Sequence, residues 1–195
     1  TYVNGSITVA KKDVAVTASS HNVNYGDSAP TITASYGTFA NGDTSSVVSN
    51  MACTTSYSGA TPVASSGIAT SCSAGTATNY QFTYTTGAIT IAKKTLTVTA
   101  SSHIVTYGDA APSPTPSYDG WVNGQGVGAI TTAPTCTTAY TNTTAVASSG
   151  IATSCSGGLA ANYAFTFVTG AITINAKSVV VSASSPTVTY GDVIP

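Results

Sequence analysis

The chain has 195 residues, with five basic and six acidic side chains, two His and a net charge of −1. Every fixed cation is a Lys and every acid an Asp, which excludes the basic stripe a phosphate backbone demands and leaves amphipathic helices without their usual outer faces. No apolar run approaches the roughly 18 to 20 residues of a membrane-crossing helix, so no membrane span and no nucleic-acid partner are expected.

In chain order, Thr1 to Ala10 (TYVNGSITVA) match Thr83 to Ala92 (TYTTGAITIA). Residues 1–11 are therefore expected to be the C-terminal strands of a preceding module. Residues 12–93 read as the first complete β module. Val, Ile, Thr and Tyr alternate there between turn residues and predict about seven strands, over Val14 to Ala18, Val23 to Tyr25, Thr31 to Tyr36, Met51 to Tyr57, Gly67 to Cys72, Tyr80 to Thr85 and Ala88 to Ala92. Asn41 to Val48 predicts either one helical turn, capped by Asp43 or Thr44, or a loop. Thr86-Gly87 reads as a tight hairpin turn between the last two strands, and Thr169-Gly170 as its repeat.

Residues 94–176 read as a second complete module, because Val14 to Gly87 recurs as Leu96 to Gly170. The ten residues Val63 to Cys72 return unaltered as Val146 to Cys155. Residues 177–195 are expected to open a further module: Tyr25-Gly26-Asp27, Tyr107-Gly108-Asp109 and Tyr190-Gly191-Asp192 are spaced by 82 and then 83 residues. Self-similarity at a fixed period marks an array built from one unit.

The junctions carry a directional signal. Ile89 and Ile91 lie on one strand face, Lys93 and Lys94 interrupt, and Leu96 and Val98 continue on the opposite parity. Since strand side chains alternate with period two, the switch sends the inward face to a different core. A linker of about two or three residues without Gly or Pro is too short for a flexible coil. The reading is all-β: tandem small β-sandwich modules, Ig-like in outline, in a stiff linear array, with mostly-β β-grasp-like modules as the alternative.

The Cys fall as one pair per repeat at identical spacing, and pairing Cys53 with Cys72 and Cys136 with Cys155 lets each module be completed independently. Buried free thiols are the alternative. A metal site would want four close ligands at tighter spacing, with His or acidic help that does not recur near these Cys, so no metal and no cofactor are expected. A closed loop of about 20 residues stabilises a fold by roughly 3 kcal/mol, and such bridges belong outside the reducing cytosol.

Other candidate sites weigh lightly. His21 and His103 match in position, but their third counterpart is Pro186, which neither ligates nor titrates. Asp27, Asp109 and Asp192 follow a Gly and suit turn fixing. With no Glu and scattered Asp, a paired-carboxylate hydrolase is unsupported, and no Gly-x-Ser-x-Gly elbow occurs; the chain is not expected to be an enzyme. Trp121, after Asp119-Gly120, is the best candidate for an exposed contact with sugar or another chain.

The ordered set Tyr25-Gly26-Asp27, Pro30, Tyr36, Asn41-Gly42, Asn79-Tyr80 and Gly87 to Ile91, repeated in the second module, resembles the MBG domain of YGX type. The resemblance covers essentially the whole chain, and the Cys pair is an addition to its usual pattern. It implies tandem display on large bacterial surface proteins and adhesins. The expected function is a disulfide-stabilised, non-catalytic spacer in the stalk of a secreted or cell-surface fibre or adhesin, with neighbouring modules as partners. The alternatives are a ligand-binding module that engages a glycan or host surface protein by avidity, and a subunit that assembles with other copies into an extracellular filament.

Overall fold

The computed structural model describes residues 3–193. The first module is built from seven strands: β1 (Lys12–Ala18), β2 (His21–Asn24), β3 (Ala34–Tyr36), β4 (Ala52–Thr55), β5 (Ile68–Ser73), β6 (Tyr80–Thr85) and β7 (Gly87–Ala92). They form two sheets, ordered β3-β1-β6 and β2-β7-β5-β4. β5 crosses over β1 and β6, which closes the sandwich. Val14, Val16 and Ala18 point inward along β1, as do Ile89 and Ile91 along β7. Thr70 is fully buried on β5, and its hydroxyl donates to Ser19 O at 2.8 Å, so the polar group costs little.

The two sheets share a chain path that the sequence suggested differently. β6 pairs with β1, in parallel, whereas β7 pairs with β2 in parallel and with β5 in antiparallel. Thr86-Gly87 is therefore a sheet switch and not the expected hairpin turn, and Thr169-Gly170 behaves alike. The physical reason is close approach. A Cβ on Gly87 would stand 2.5 Å from Ala18 O and 2.7 Å from Thr70 Oγ1, so the glycine admits the neighbouring backbone instead of folding a turn. Between Asn41 and Val48 the structure has a single 3-10 turn, Ser45–Val47, capped by the Thr44 side chain.

The second module repeats the plan with β8 (Lys94–Ala100), β9 (His103–Thr106), β10 (Pro116–Asp119), β11 (Ile130–Thr132), β12 (Thr135–Thr138), β13 (Ile151–Ser156), β14 (Leu159–Ala160), β15 (Tyr163–Val168) and β16 (Gly170–Asn175). Its sheets are β10-β8-β15 and β12-β13-β16-β9, plus the short pair β11-β14, where the first module has only a bridge between Ser49 and Thr76. In each module a disulfide joins directly opposed residues of an antiparallel pair: Cys53 with Cys72 across β4 and β5, and Cys136 with Cys155 across β12 and β13.

The segments flanking the modules carry no strand between Val3 and Lys11 or between Ala176 and Val193; Thr1, Tyr2, Ile194 and Pro195 lie outside the described residues. Ile7 and Val9 are 93% and 88% exposed, whereas their counterparts Ile89 and Ile91 are 0% and 3% exposed. β7 is buried because β2 and β5 hold it on both sides. A strand-like sequence needs such partners to become a strand.

Candidate functional site

β7 ends at Ala92 and β8 starts at Lys94, so a single residue separates the two modules. Lys93 is not idle there. Its ammonium donates to Ala160 O at 2.8 Å and ties the linker to the second module. The surfaces that meet around this point form the most elaborate constellation of side chains in the described structure, and most of it comes from the short motifs that recur along the sequence.

From the first module comes a projecting end. Tyr25 extends the pairing of β2 with β7 through its N–H to Ala92 O at 2.9 Å, and Gly26 then turns the chain at φ +90°. The Asp27 carboxylate accepts the Asn24 N–H at 2.8 Å and locks that turn; Asp109 and Asp192 accept from Thr106 and Thr189 in the same way. Tyr57 donates its hydroxyl to Asp27 O at 3.0 Å, and burial first, with the Asp27 charge second, pushes its pKa above the ordinary tyrosine value. The loop from Tyr57 to Val63 lies inside the ring closed by Cys53 and Cys72, so the disulfide constrains the backbone that reaches the neighbour.

From the second module comes a receiving face. Tyr163 is almost wholly buried; its ring meets Tyr25 edge-on at 5.7 Å and Trp121 at 5.1 Å. Its hydroxyl donates to Gln125 Oε1 at 2.7 Å, as Tyr80 does to Asp43 Oδ2 at 2.7 Å in the first module. That bond, followed by burial, holds the Tyr80 pKa above its ordinary value. Val122 packs so closely on the Tyr-Gly-Asp turn that a Cβ on Gly26 would stand 2.5 Å from its Cγ2. Asn123, at φ +57° in the Asn-Gly turn, donates its side-chain amide to Gly59 O at 2.9 Å. Asn162 Oδ1 accepts the Val63 N–H at 3.0 Å, and Lys94 stands 3.7 Å from Asp27.

These contacts join the cores. Tyr25, Tyr57 and Ile91 of the first module belong to one buried cluster with Leu96, Ala160 and Tyr163 of the second. Two intermodule hydrogen bonds to neutral groups, one partly exposed ion pair and a closed aromatic contact rest on that cluster. The ion pair is worth little by itself, about 0 to 1 kcal/mol. The apolar contact and the satisfied backbone groups carry the junction.

The arrangement gives the Tyr-Gly-Asp, Asn-Gly and Asn-Tyr motifs a common purpose. In sequence they read as turn and strand punctuation; in the fold all three lie at module ends and touch across the junction. The unaltered block Val63 to Cys72 is similarly explained. It supplies Val63 to the neighbour, Ser66 Oγ to the Ile91 N–H, Gly67 at φ +93°, the buried Thr70 and one half of the bridge. Gly59 and Val122 carry no comparable signal in the sequence, since their role depends on which loop of another module they meet.

Trp121 is half-buried, tilted against Tyr118 at 5.9 Å beside its contact with Tyr163. Burial raises the Tyr118 pKa. His21 and His103 each lie within hydrogen-bond distance of a serine hydroxyl, Ser19 at 2.8 Å and Ser101 at 2.9 Å. Among the described residues no three His, Cys, Asp or Glu side chains converge as a metal site would require, and no helix is long and apolar enough to cross a membrane.

A family model described as MBG domain (YGX type) matches residues 14–90 and again residues 96–173. None of the curated proteins matches the chain. The two matches span most of the sequence, and the chain belongs to the MBG domain family of YGX type, as two modules in tandem.

Proposed function

We propose that this chain is a length of stiff, non-catalytic spacer in the stalk of a bacterial surface fibre or adhesin, displayed outside the reducing cytosol. Tandem MBG domains suggest the repeat region of a surface protein, and two cross-strand disulfides suit an oxidising environment. The observation that carries the reading is the buried cluster running through the junction from Tyr25, Tyr57 and Ile91 into Leu96, Ala160 and Tyr163. A spacer acts by geometry. Each module passes its orientation to the next because a one-residue linker and a packed interface leave little freedom of rotation, and each bridge closes a loop that force or heat would otherwise open.

The same contacts speak against a design in which every module presents its own aromatic binding surface. Trp121 packs its ring on Tyr163 and Tyr118 at the junction, where it supports a neighbour. Distance measurement between spin labels on Thr31 and Ser154, one in each module, tests the spacer. A single narrow distribution is expected; a broad one spanning many orientations would sink it.

A further inference from the structure

We infer that each module is a mechanical clamp, in which the first and last segments of the module form one parallel ladder that tension along the chain loads in shear. The ladder runs across both sheets without a change of register. On β1 and β6, Lys12 faces Tyr80 and Thr17 faces Thr85; on β2 and β7, His21 faces Ile89 and Asn24 faces Ala92. The offset is 68 residues throughout, and it holds at the step between the sheets, where the Ala88 N–H donates to Ser20 Oγ at 3.1 Å. Gly87 makes that step possible by admitting Ala18 O, and Thr70 braces it from β5 through its bond to Ser19 O. One backbone bond extends each end of the ladder: the Lys12 N–H donates to Asn79 O and the Tyr25 N–H to Ala92 O, both at 2.9 Å.

The second module repeats the device at an offset of 69 residues: Lys94 faces Tyr163, Thr99 faces Val168, His103 faces Ile172 and Thr106 faces Asn175, and Ser102 Oγ accepts the Ala171 N–H at 3.0 Å. Direction makes the ladder a clamp. The chain enters each module at the start of one strand path and leaves at the end of the parallel one, so Lys12 and Ala92 lie at opposite ends of the first ladder. Tension therefore slides the two paths past each other, and the ladder bonds, evenly spaced between parallel strands, bear the load together. With only Lys93 between β7 and β8, the load passes from one ladder straight into the next. The bridge between Cys53 and Cys72, which joins β4 to β5, stands off that line. It acts second: once the ladder parts, the bridge keeps the 19 residues of separation between its cysteines out of the extension.

The clamp rests on the spacer reading only for the source of the load, which is tension along the chain. Single-molecule pulling of the full chain tests it, with handles either at the two chain ends or on Lys12 and Asn79, which are exposed and lie together at one end of the first ladder. The second geometry peels that ladder open one bond at a time. Because forced rupture follows the unfolding rate, both modules are expected to yield, when pulled by the ends, at forces at least about twofold above the peeling force. Cys53→Ala with Cys72→Ala is expected to lengthen the first module's step by about 60 Å, the extended length of the freed residues, while the end-pulled force stays above the peeling force. Equal forces in the two geometries, or a step of unchanged length, would overturn the clamp. The label distances between Thr31 and Ser154 judge the spacer separately, since they are read without load.

Discussion

The turn at Tyr25-Gly26-Asp27 and the turn at Tyr107-Gly108-Asp109 have the same sequence, the same locking bond to the aspartate and nearly the same φ at glycine, +90° and +93°. Yet Tyr25 is 3% exposed and Tyr107 43%. The difference is the docked neighbour: Tyr25 meets Tyr163, whereas the segment from Ala176 to Val193, which follows the second module, forms no strand. Local sequence therefore sets the shape of a module end, whereas burial of that end is a property of the pair. The receiving faces agree. Asn162 and Lys94 are partly buried in the junction, and Asn79 and Lys12, at the repeat positions in the first module, are exposed.

The disulfides offer the largest lever on this comparison. Replacing both Cys53 and Cys72 with Ala, or both Cys136 and Cys155, is expected to destabilise the affected module by about 3 kcal/mol, measured by thermal unfolding. The two double variants should part company in a second readout. Only the first frees the loop that holds Gly59 and Val63 against the next module, so only it should broaden the label distance across the junction. Equal broadening in both would mean that the bridge does not organise the contact.

A smaller and cleaner contrast comes from Gly26→Val and Gly108→Val. Both variants strain a positive φ, by roughly 1 to 2 kcal/mol. Gly26→Val must also displace Val122, while the Cβ at Gly108 meets only Lys177 Nζ at 3.9 Å. The first is thus expected to be the more damaging by about 1 to 3 kcal/mol, seen as a lower Tm for the variant at the occupied end. Matching losses would show that the close contact relaxes without cost.

Least effect is expected from the ion pair. Lys94→Met removes the partner of Asp27 at a site where both side chains are about one-third exposed, and should cost no more than about 1 kcal/mol, a loss that shrinks as salt is added. Lys12→Met, at the exposed repeat position in the first module, should leave stability unchanged. If Lys94→Met instead costs as much as the glycine variants, the junction is more electrostatic than its packing indicates.

Much of this was legible in the residues. The period-two alternation on β1, β7, β8 and β16 is strong because each of these strands has one face on the core, but the parity switch at Lys93 does not send Ile91 and Leu96 to separate cores, since both belong to one buried cluster. The Cys spacing pointed to the pairs that the fold brings directly opposite each other. The Thr86-Gly87 step was misjudged because a glycine that admits a crossing backbone and a glycine that makes a turn look alike in sequence. The junction itself was hidden in plain motifs, since Asn-Gly and Asn-Tyr announce local geometry and say nothing of the surface they will face.

What the sequence by itself determined, then, is the unit and its repetition: all-β modules, their bridges and the tightness of the linker, all of which follow from local periodicity and spacing along one chain. Tertiary structure alone decided that β1 pairs with β6 and β2 with β7 in parallel, and that the two modules share a buried cluster. The reason is that burial and pairing are relations between distant segments, which local periodicity does not specify.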